Sequence, residues 1–241
     1  MVDKAKKRKK YRHLKITAVM LFLLGLTIAL YPVILNWFYK VEVRQMEKTF
    51  EQQIVEFSDS MISFEKLYQE LKRRNELLFA EKQKDLKDPF SYQQPEIDLT
   101  EYGFQGNVIG FISIPKMEVE LPILLGANTD NLRKGSVHLT ETSYPIGGEN
   151  TNAVLAAHRG YSRAAMFRDI EKLEIGDEIY IHNFRETLTY RVVEWEIIAP
   201  TDVQKLLIRE GRDLVTLVTC HPYRQNSQRY VVYCERVDSA G

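Results

Sequence analysis

The chain has 241 residues, 44% hydrophobic and 27% charged, with a formal net charge of zero. That length allows one ordinary globular domain plus appendages. The neutrality hides an asymmetry: residues 1–15 carry eight Lys/Arg and one Asp, leaving 25 basic and 32 acidic side chains on the remainder, and an acidic body is a poor nucleic-acid binder.

Ile16–Leu35 is twenty residues without a charge, the span a helix needs to cross the hydrocarbon of a bilayer. Tyr31, Trp37, Phe38 and Tyr39 gather at its far end like an interfacial aromatic belt. The basic cluster before it predicts a cytoplasmic N-terminus, with everything after about residue 40 outside. The stretch is long for a cleaved signal and no small-x-small site follows, so a single uncleaved crossing is expected. Residues 1–15 are then a cytoplasmic tail and 16–39 the anchor.

From Val43 the apolar residues Val43, Met46, Phe50, Ile54, Phe57, Met61, Phe64, Tyr68 and Leu71 recur at steps of three and four, one face of a helix. Residues 40–84 are expected to be helical, with a break at Ser58-Asp59-Ser60 that Asp59 or Ser60 caps. The aromatic stripe lacks Leu or Ile at d-like positions, which favours packing on its own domain over a coiled-coil stalk. Asp88-Pro89-Phe90 and Pro95 then place a loop over 85–103.

Beyond the loop the period changes. Val108–Pro115, Val119–Gly126, Asn152–His158, Glu178–Phe184, Glu186–Ile198, Leu214–Cys220 and Gln228–Val237 read as strands, with Ser136–Glu141 a weaker eighth. Asn183-Phe184-Arg185-Glu186 suggests a hairpin, and short helices fit Ala164–Leu173 and Thr201–Ile208. Many short strands in 104–241 point to a closed β-barrel or a sandwich, a mainly β fold.

Three of these strands end in chemistry. Cys220 closes one, His158 another, and Arg229 heads the strand nine residues after the cysteine. A thiol, an imidazole and a guanidinium at strand rims can generate a thiolate and stabilise an oxyanion. A disulfide between Cys220 and Cys234 conflicts with strand parity: if Arg229 faces the site, Cys234 points to the other face. Cys234 is read as a small buried hydrophobe. His221, directly after Cys220, is expected to point away from the thiol.

The combination resembles the sortases, the cysteine transpeptidases of Gram-positive cell surfaces. The resemblance rests on Thr216-Leu217-Val218-Thr219-Cys220, on His158 within Ala157-His158-Arg159-Gly160, and on Arg229 within Gln228-Arg229-Tyr230. Gly147-Gly148-Glu149-Asn150-Thr151 and Gly110-Phe111-Ile112-Ser113-Ile114-Pro115 add to it, over roughly residues 85–237. It implies a closed eight-stranded sortase barrel, with Cys220 as nucleophile, His158 as acid and base, Arg229 as oxyanion partner, and Thr219 and Arg229 binding substrate.

Asp88-Pro89-Phe90 makes the chain look like class C, the pilin polymerases, whose DP-aromatic lid sets the aspartate on the catalytic arginine and the ring over the cysteine. The structural alternative for these three residues is an ordinary helix-terminating turn. Many class C members carry a threonine where His221 stands, and a second hydrophobic segment; here anchoring is expected to rest on residues 16–35. The resemblance implies cleavage of an LPxTG-like sorting signal through a thioester, resolved by an acceptor lysine of the next pilin subunit. No metal or organic cofactor is implied. The rival tasks are anchoring to a peptidoglycan precursor, hydrolysis by a cysteine peptidase, and a non-catalytic membrane-tethered scaffold.

Overall fold

The structure, a computed structural model, describes residues 2–58, 61–161 and 163–237. A first helix, α1 (Val2–Ser58), carries the basic segment and the apolar stretch without interruption. The chain divides after Val41. Up to that point α1 is the one described helix long and apolar enough to cross a membrane, and the side chains of its most apolar stretch, such as Phe22 and Leu24, are exposed. Trp37 and Phe38 form an edge-on pair at 5.1 Å at the far end.

From Glu42 the helical residues belong with the rest of the chain. Phe50 packs against Phe104 at 5.8 Å and Phe111 at 5.7 Å, and Gln53 accepts a hydrogen bond from the Gln105 amide. A second helix, α2 (Met61–Glu81), follows. The expected cap at Asp59 or Ser60 lies outside the described residues. The buried face of α2 is centred on Leu67 and Leu71, both fully buried, rather than on Tyr68. Tyr68 sits at the edge of that face, its ring 4.0 Å from the Arg185 guanidinium. Helical spacing thus packs this segment on its own domain, as its aromatic stripe implied. The helix stops three residues short of 84 because Lys82 and Gln83 turn left-handed, at φ 58° and 46°. Gln83 thereby turns inward, donating to the Glu141 carbonyl at 2.8 Å and accepting from the Ile208 amide at 2.7 Å.

The remaining elements form a closed eight-stranded barrel: β1 (Val108–Ile114), β2 (Val119–Leu125), β3 (Ser136–His138), β4 (Thr151–Ala156), β5 (Glu178–Asn183), β6 (Thr187–Ile198), β7 (Asp213–His221) and β8 (Gln228–Arg236), in the order β1-β2-β3-β4-β7-β8-β6-β5. The pairs β2–β3 and β4–β7 are parallel and the others antiparallel. Every residue of β4 is buried, as for a strand covered on both faces, whereas β5 alternates buried and half-buried positions with one face toward water. At Gly110 a Cβ would lie 2.5 Å from the His182 carbonyl, so only glycine lets β1 and β5 approach this closely.

Two expected helices are absent. Residues 164–173 hold only a 3-10 turn at Ile170–Lys172, because Met166 takes a left-handed φ of 46° that no helix passes through. Residues 201–208 likewise reduce to Val203–Leu206, whose Leu206 is fully buried. The weak eighth strand is real but ends at His138. A short helix not expected from the sequence, α3 (Thr129–Lys134), starts where the Asn128 side chain accepts from the Asn131 amide at 3.0 Å.

The loop between α2 and β1 lies over one outer face of the barrel. Leu86 joins a buried cluster with Leu132, Val137, Val154, Ala156, Val218, Val231 and Tyr233, and Phe90 packs against it. Burying a leucine of this kind contributes about 1.5–3 kcal/mol. Gln93 tethers the next turn, its amide donating to the Ala127 carbonyl at 2.7 Å and its Oε1 accepting from the Thr140 amide at 2.9 Å. Gly126, at φ +85°, admits Pro95 where a Cβ would meet its nitrogen at 2.7 Å.

Candidate functional site

The parallel neighbours β4 and β7 run out at the same rim. The Ala157 amide donates to the Val218 carbonyl at 3.2 Å, and the Ala157 carbonyl accepts from Thr219 Oγ1 at 2.7 Å. His158 and Arg159 therefore emerge from β4 where Cys220 ends β7. In the β7–β8 ladder Cys220 stands directly opposite Arg229, so both side chains leave the same face. Sequence spacing thus becomes a thiol–guanidinium rung, and Pro222 ends the strand just beyond it.

Arg229 is held almost out of water, its side chain 6% exposed. Its Nε donates to Asp88 Oδ1 and its Nη2 to Asp88 Oδ2, both at 2.8 Å, a bidentate pair. Nη1 donates to the carbonyls of Asn226 and Gln228, both at 2.9 Å. The Phe90 ring lies 5.0 Å from the guanidinium carbon and 6.4 Å from the His158 ring. Pro89 joins these two contacts in a turn closed by the Ser91 amide and hydroxyl, which donate to the Asp88 carbonyl at 2.9 and 2.7 Å. Asp88, Phe90, His158 and Arg229 are thus brought together beside Cys220. In this arrangement the donors of Arg229 are already occupied.

Thr219 is placed otherwise than expected. It is fully buried, faces away from Cys220, and spends its hydroxyl on Ala157. Strand alternation turns its side chain toward β4, which it ties to β7.

The electrostatics favour a resting site. Burial pushes the Cys220 thiol up from its ordinary value; Arg229 opposes this, Asp88 adds to it, and Arg159 opposes it. Burial pushes His158 down, and the Arg133 charge adds to the effect. A thiol raised and an imidazole lowered are both neutral near pH 7. The His158 ring also stacks on Tyr161 at 5.8 Å.

His221 points away from the thiol. Its Nδ1 accepts from Arg159 Nη1 at 2.7 Å, and its ring lies 5.8 Å from Tyr230. Arg159 pairs in turn with Glu171 at 2.6 Å. Sequence reading missed Arg159, Glu171 and Tyr161 as parts of the site; the one signal was the adjacency of Arg159 to His158. Both cysteines are free, and Cys234 sits opposite Val215 on the other face of the ladder, fully buried. Among the described residues no three His, Cys, Asp or Glu side chains are grouped to hold a metal ion.

A family model described as "Sortase domain" matches residues 112–237. Among solved structures, a crystal form of Streptococcus agalactiae sortase C1 superposes with a TM-score of 0.74 at 32% identity, covering 80% of this chain and 98% of that one. The lid-mutant of the same protein gives 0.71 at 28%, over 80% and 97%. Streptococcus pneumoniae sortase C, described in connection with catalysis and pilin substrate specificity, gives 0.63 at 30%, over 82% and 96%. Among curated relatives, sortase D of Bacillus subtilis is 32% identical over 135 residues, 55% of this chain and 65% of its own length. Sortase A of Bacillus anthracis is 35% identical over 125 residues, 52% and 58%. The chain is thus matched to less than two thirds of these curated relatives' lengths.

Proposed function

Because the chain belongs to the sortase family, we propose that it is a membrane-anchored cysteine transpeptidase that joins pilin subunits through lysine isopeptide bonds. The observation that carries this reading is the Cys220–Arg229 rung covered by Asp88 and Phe90. Such a lid over a rim cysteine supports pilin polymerisation over the simpler wall-anchoring task. One structural neighbour, a lid-mutant of Streptococcus agalactiae sortase C1, carries a segment described by the same word.

The chemistry follows from the groups at the rim. Departure of the lid frees the Arg229 donors, lessens the burial that chiefly raises the thiol, and removes the Asp88 charge that adds to it. Cys220 then passes its proton to His158, and the thiolate attacks the Thr–Gly carbonyl of an LPxTG-like sorting signal. Arg229 receives the developing oxyanion with the N–H groups it gave to Asp88. The C–N bond breaks as the His158 imidazolium returns the proton to the leaving glycine amine, and a thioester to Cys220 remains. A lysine amine of the next subunit attacks the thioester, His158 takes its proton, and the Cys220 thiolate departs. A closed lid shields the thioester from water between these steps.

α1 is the anchor, with its basic end cytoplasmic and residues after about 40 outside, which brings the thiol to secreted substrates. The loop at 85–103 is the lid. The full chain in detergent, incubated with a sorting-signal peptide, a pilin subunit and a lysine-bearing acceptor, tests the reading by mass spectrometry. The expected products are an acyl adduct on Cys220 and a ladder of isopeptide-linked polymers. Adducts that transfer only to a peptidoglycan precursor would assign the anchoring task instead, and amine-independent release would assign hydrolysis.

A further inference from the structure

The steps above give no part to Arg159, Glu171 or His221, yet these form a second charged group at the rim, built on a buried guanidinium. The Arg159 side chain is 5% exposed. Its Nη2 meets Glu171 Oε1 at 2.6 Å, its Nη1 donates to His221 Nδ1 at 2.7 Å, and the same nitrogen reaches the Cys220 carbonyl oxygen at 3.5 Å. The guanidinium carbon lies 5.8 Å from the Tyr230 ring, and Nε is buried without a partner. A guanidinium only donates, so His221 presents a lone pair at Nδ1 and carries its proton on Nε2. Its one carboxylate partner, Glu171, is 51% exposed, so the pair leaves a buried positive charge only partly balanced.

The position of that charge is what matters. Arg159 directly follows His158, and its side chain reaches across to the last peptide of β7. Cys220 therefore has two guanidiniums near it, Arg229 opposite it in the β7–β8 ladder and Arg159 at its carbonyl oxygen. The two differ in one respect. Arg229 is paired with the lid through Asp88, whereas Arg159 is paired with Glu171, in the 3-10 turn Ile170–Lys172 and outside the lid. Opening or closing the lid changes the first cation's balance and leaves the second's alone.

We propose that Arg159 is a positioning residue and the second cation of the thiol site: it clamps the Cys220–His221 end of β7 to the end of β4 and holds a lid-independent positive charge near the nucleophile. The inference rests on the cysteine transpeptidase reading. Burial acts against the Cys220 thiolate, and Arg229 and Arg159 are the two cations that act for it. The charged and titratable groups facing Cys220 are Arg229 from β8, Asp88 from the lid, and His158 and Arg159 from the end of β4; Glu171 stands behind Arg159.

The test uses the full chain in detergent with Asp88→Ala and Phe90→Ala, so that the thiol is open in every sample. Iodoacetamide alkylation of Cys220 is followed by mass spectrometry as a function of pH, with Arg159→Gln, Arg159→Lys and Glu171→Gln added singly. Arg159→Gln is expected to slow alkylation at pH 7 by about three- to tenfold and to move its profile to higher pH. Arg159→Lys keeps the charge and retains most of the rate. Glu171→Gln removes the opposing charge and does not slow the reaction. A purely structural clamp predicts the contrary, slowing in all three. That result, or an Arg159→Gln profile superimposed on its parent, overturns the inference. If Arg159→Gln fails to fold in a thermal melt, Glu171→Gln decides by its sign: equal or faster supports the second cation, slower removes it. Failure of the parent protein to acylate with a sorting-signal peptide would instead strike the transpeptidase reading, since the alkylation comparison needs no peptide.

Discussion

The chain contains the same pair of side-chain types in two places, at the rim and in the wall of one barrel. At the rim, Cys220 is half-buried opposite Arg229, and His158 lies between Phe90 and Tyr161. In the wall, Cys234 is fully buried opposite Val215, and His138, opposite Leu155, is stacked on Tyr144 at 4.8 Å. Burial pushes the Cys234 thiol far up, with nothing charged to oppose it. His138 is pushed down to about 4 by burial, although its Nε2 lies 3.0 Å from the Ser143 carbonyl and 3.2 Å from that of Thr142. Residue type does not make a nucleophile or a base. A strand end with charges within reach does, because only there can the ionised forms be matched.

The contrast can be broken most directly at the two cysteines. Cys220→Ala is expected to abolish the acyl adduct and all transfer, measured by mass spectrometry, while Cys234→Ala retains both. Next in size, His158→Ala or Arg229→Ala should lower the acylation rate on the order of 10²–10³-fold in stopped peptide assays. His138→Asn should leave the rate per folded molecule unchanged. An acylation loss at His138 comparable to that at His158 would erase the distinction between rim and wall.

The wall histidine makes its own prediction. Its folded value, about 4, lies below the unfolded value of 6.5, so the unfolded chain takes up the proton first as pH falls. Its contribution is neutral above about pH 6.5, and stability is lost between there and pH 4, by roughly 3 kcal/mol in all. Thermal melts across that window should show the loss, and His138→Asn should flatten it.

A smaller effect sharpens the rim. Asp88 raises the Cys220 thiol and occupies Arg229, so Asp88→Ala lowers the thiol and frees the guanidinium. Alkylation of Cys220 at pH 7 should rise about tenfold, with the profile moved to lower pH. Unchanged labelling would remove the gating role of the lid. The smallest expected effect is the stability cost of Cys234→Ala, about 1 kcal/mol in denaturant melts, from one vacated methyl-sized volume.

Local patterns were legible in the sequence because their causes are local. The uncharged run Ile16–Leu35 declares a helix long and apolar enough to span a membrane, and β-branched runs such as Leu214–Cys220 declare strands. The register argument against a disulfide needed only strand parity, and the free Cys220 and Cys234 lie on opposite faces accordingly. Short-range reading failed where a side chain was pulled by a distant partner. Gln83 ends α2 to reach Glu141 and Ile208, and Thr219 gives its hydroxyl to Ala157.

By itself, then, the order of residues determined the long helices, most of the strands and an apolar stretch of membrane-spanning length, and that a thiol, an imidazole and a guanidinium lie at strand ends. The pairing of Asp88 with Arg229 across 141 residues was expected only through the family resemblance, and only the folded barrel decided that Arg159 meets His221 across 62. Period and composition act over a few residues, so they can be read along the chain. Charge pairing depends on which strand ends share a rim, and closure of the barrel alone sets that.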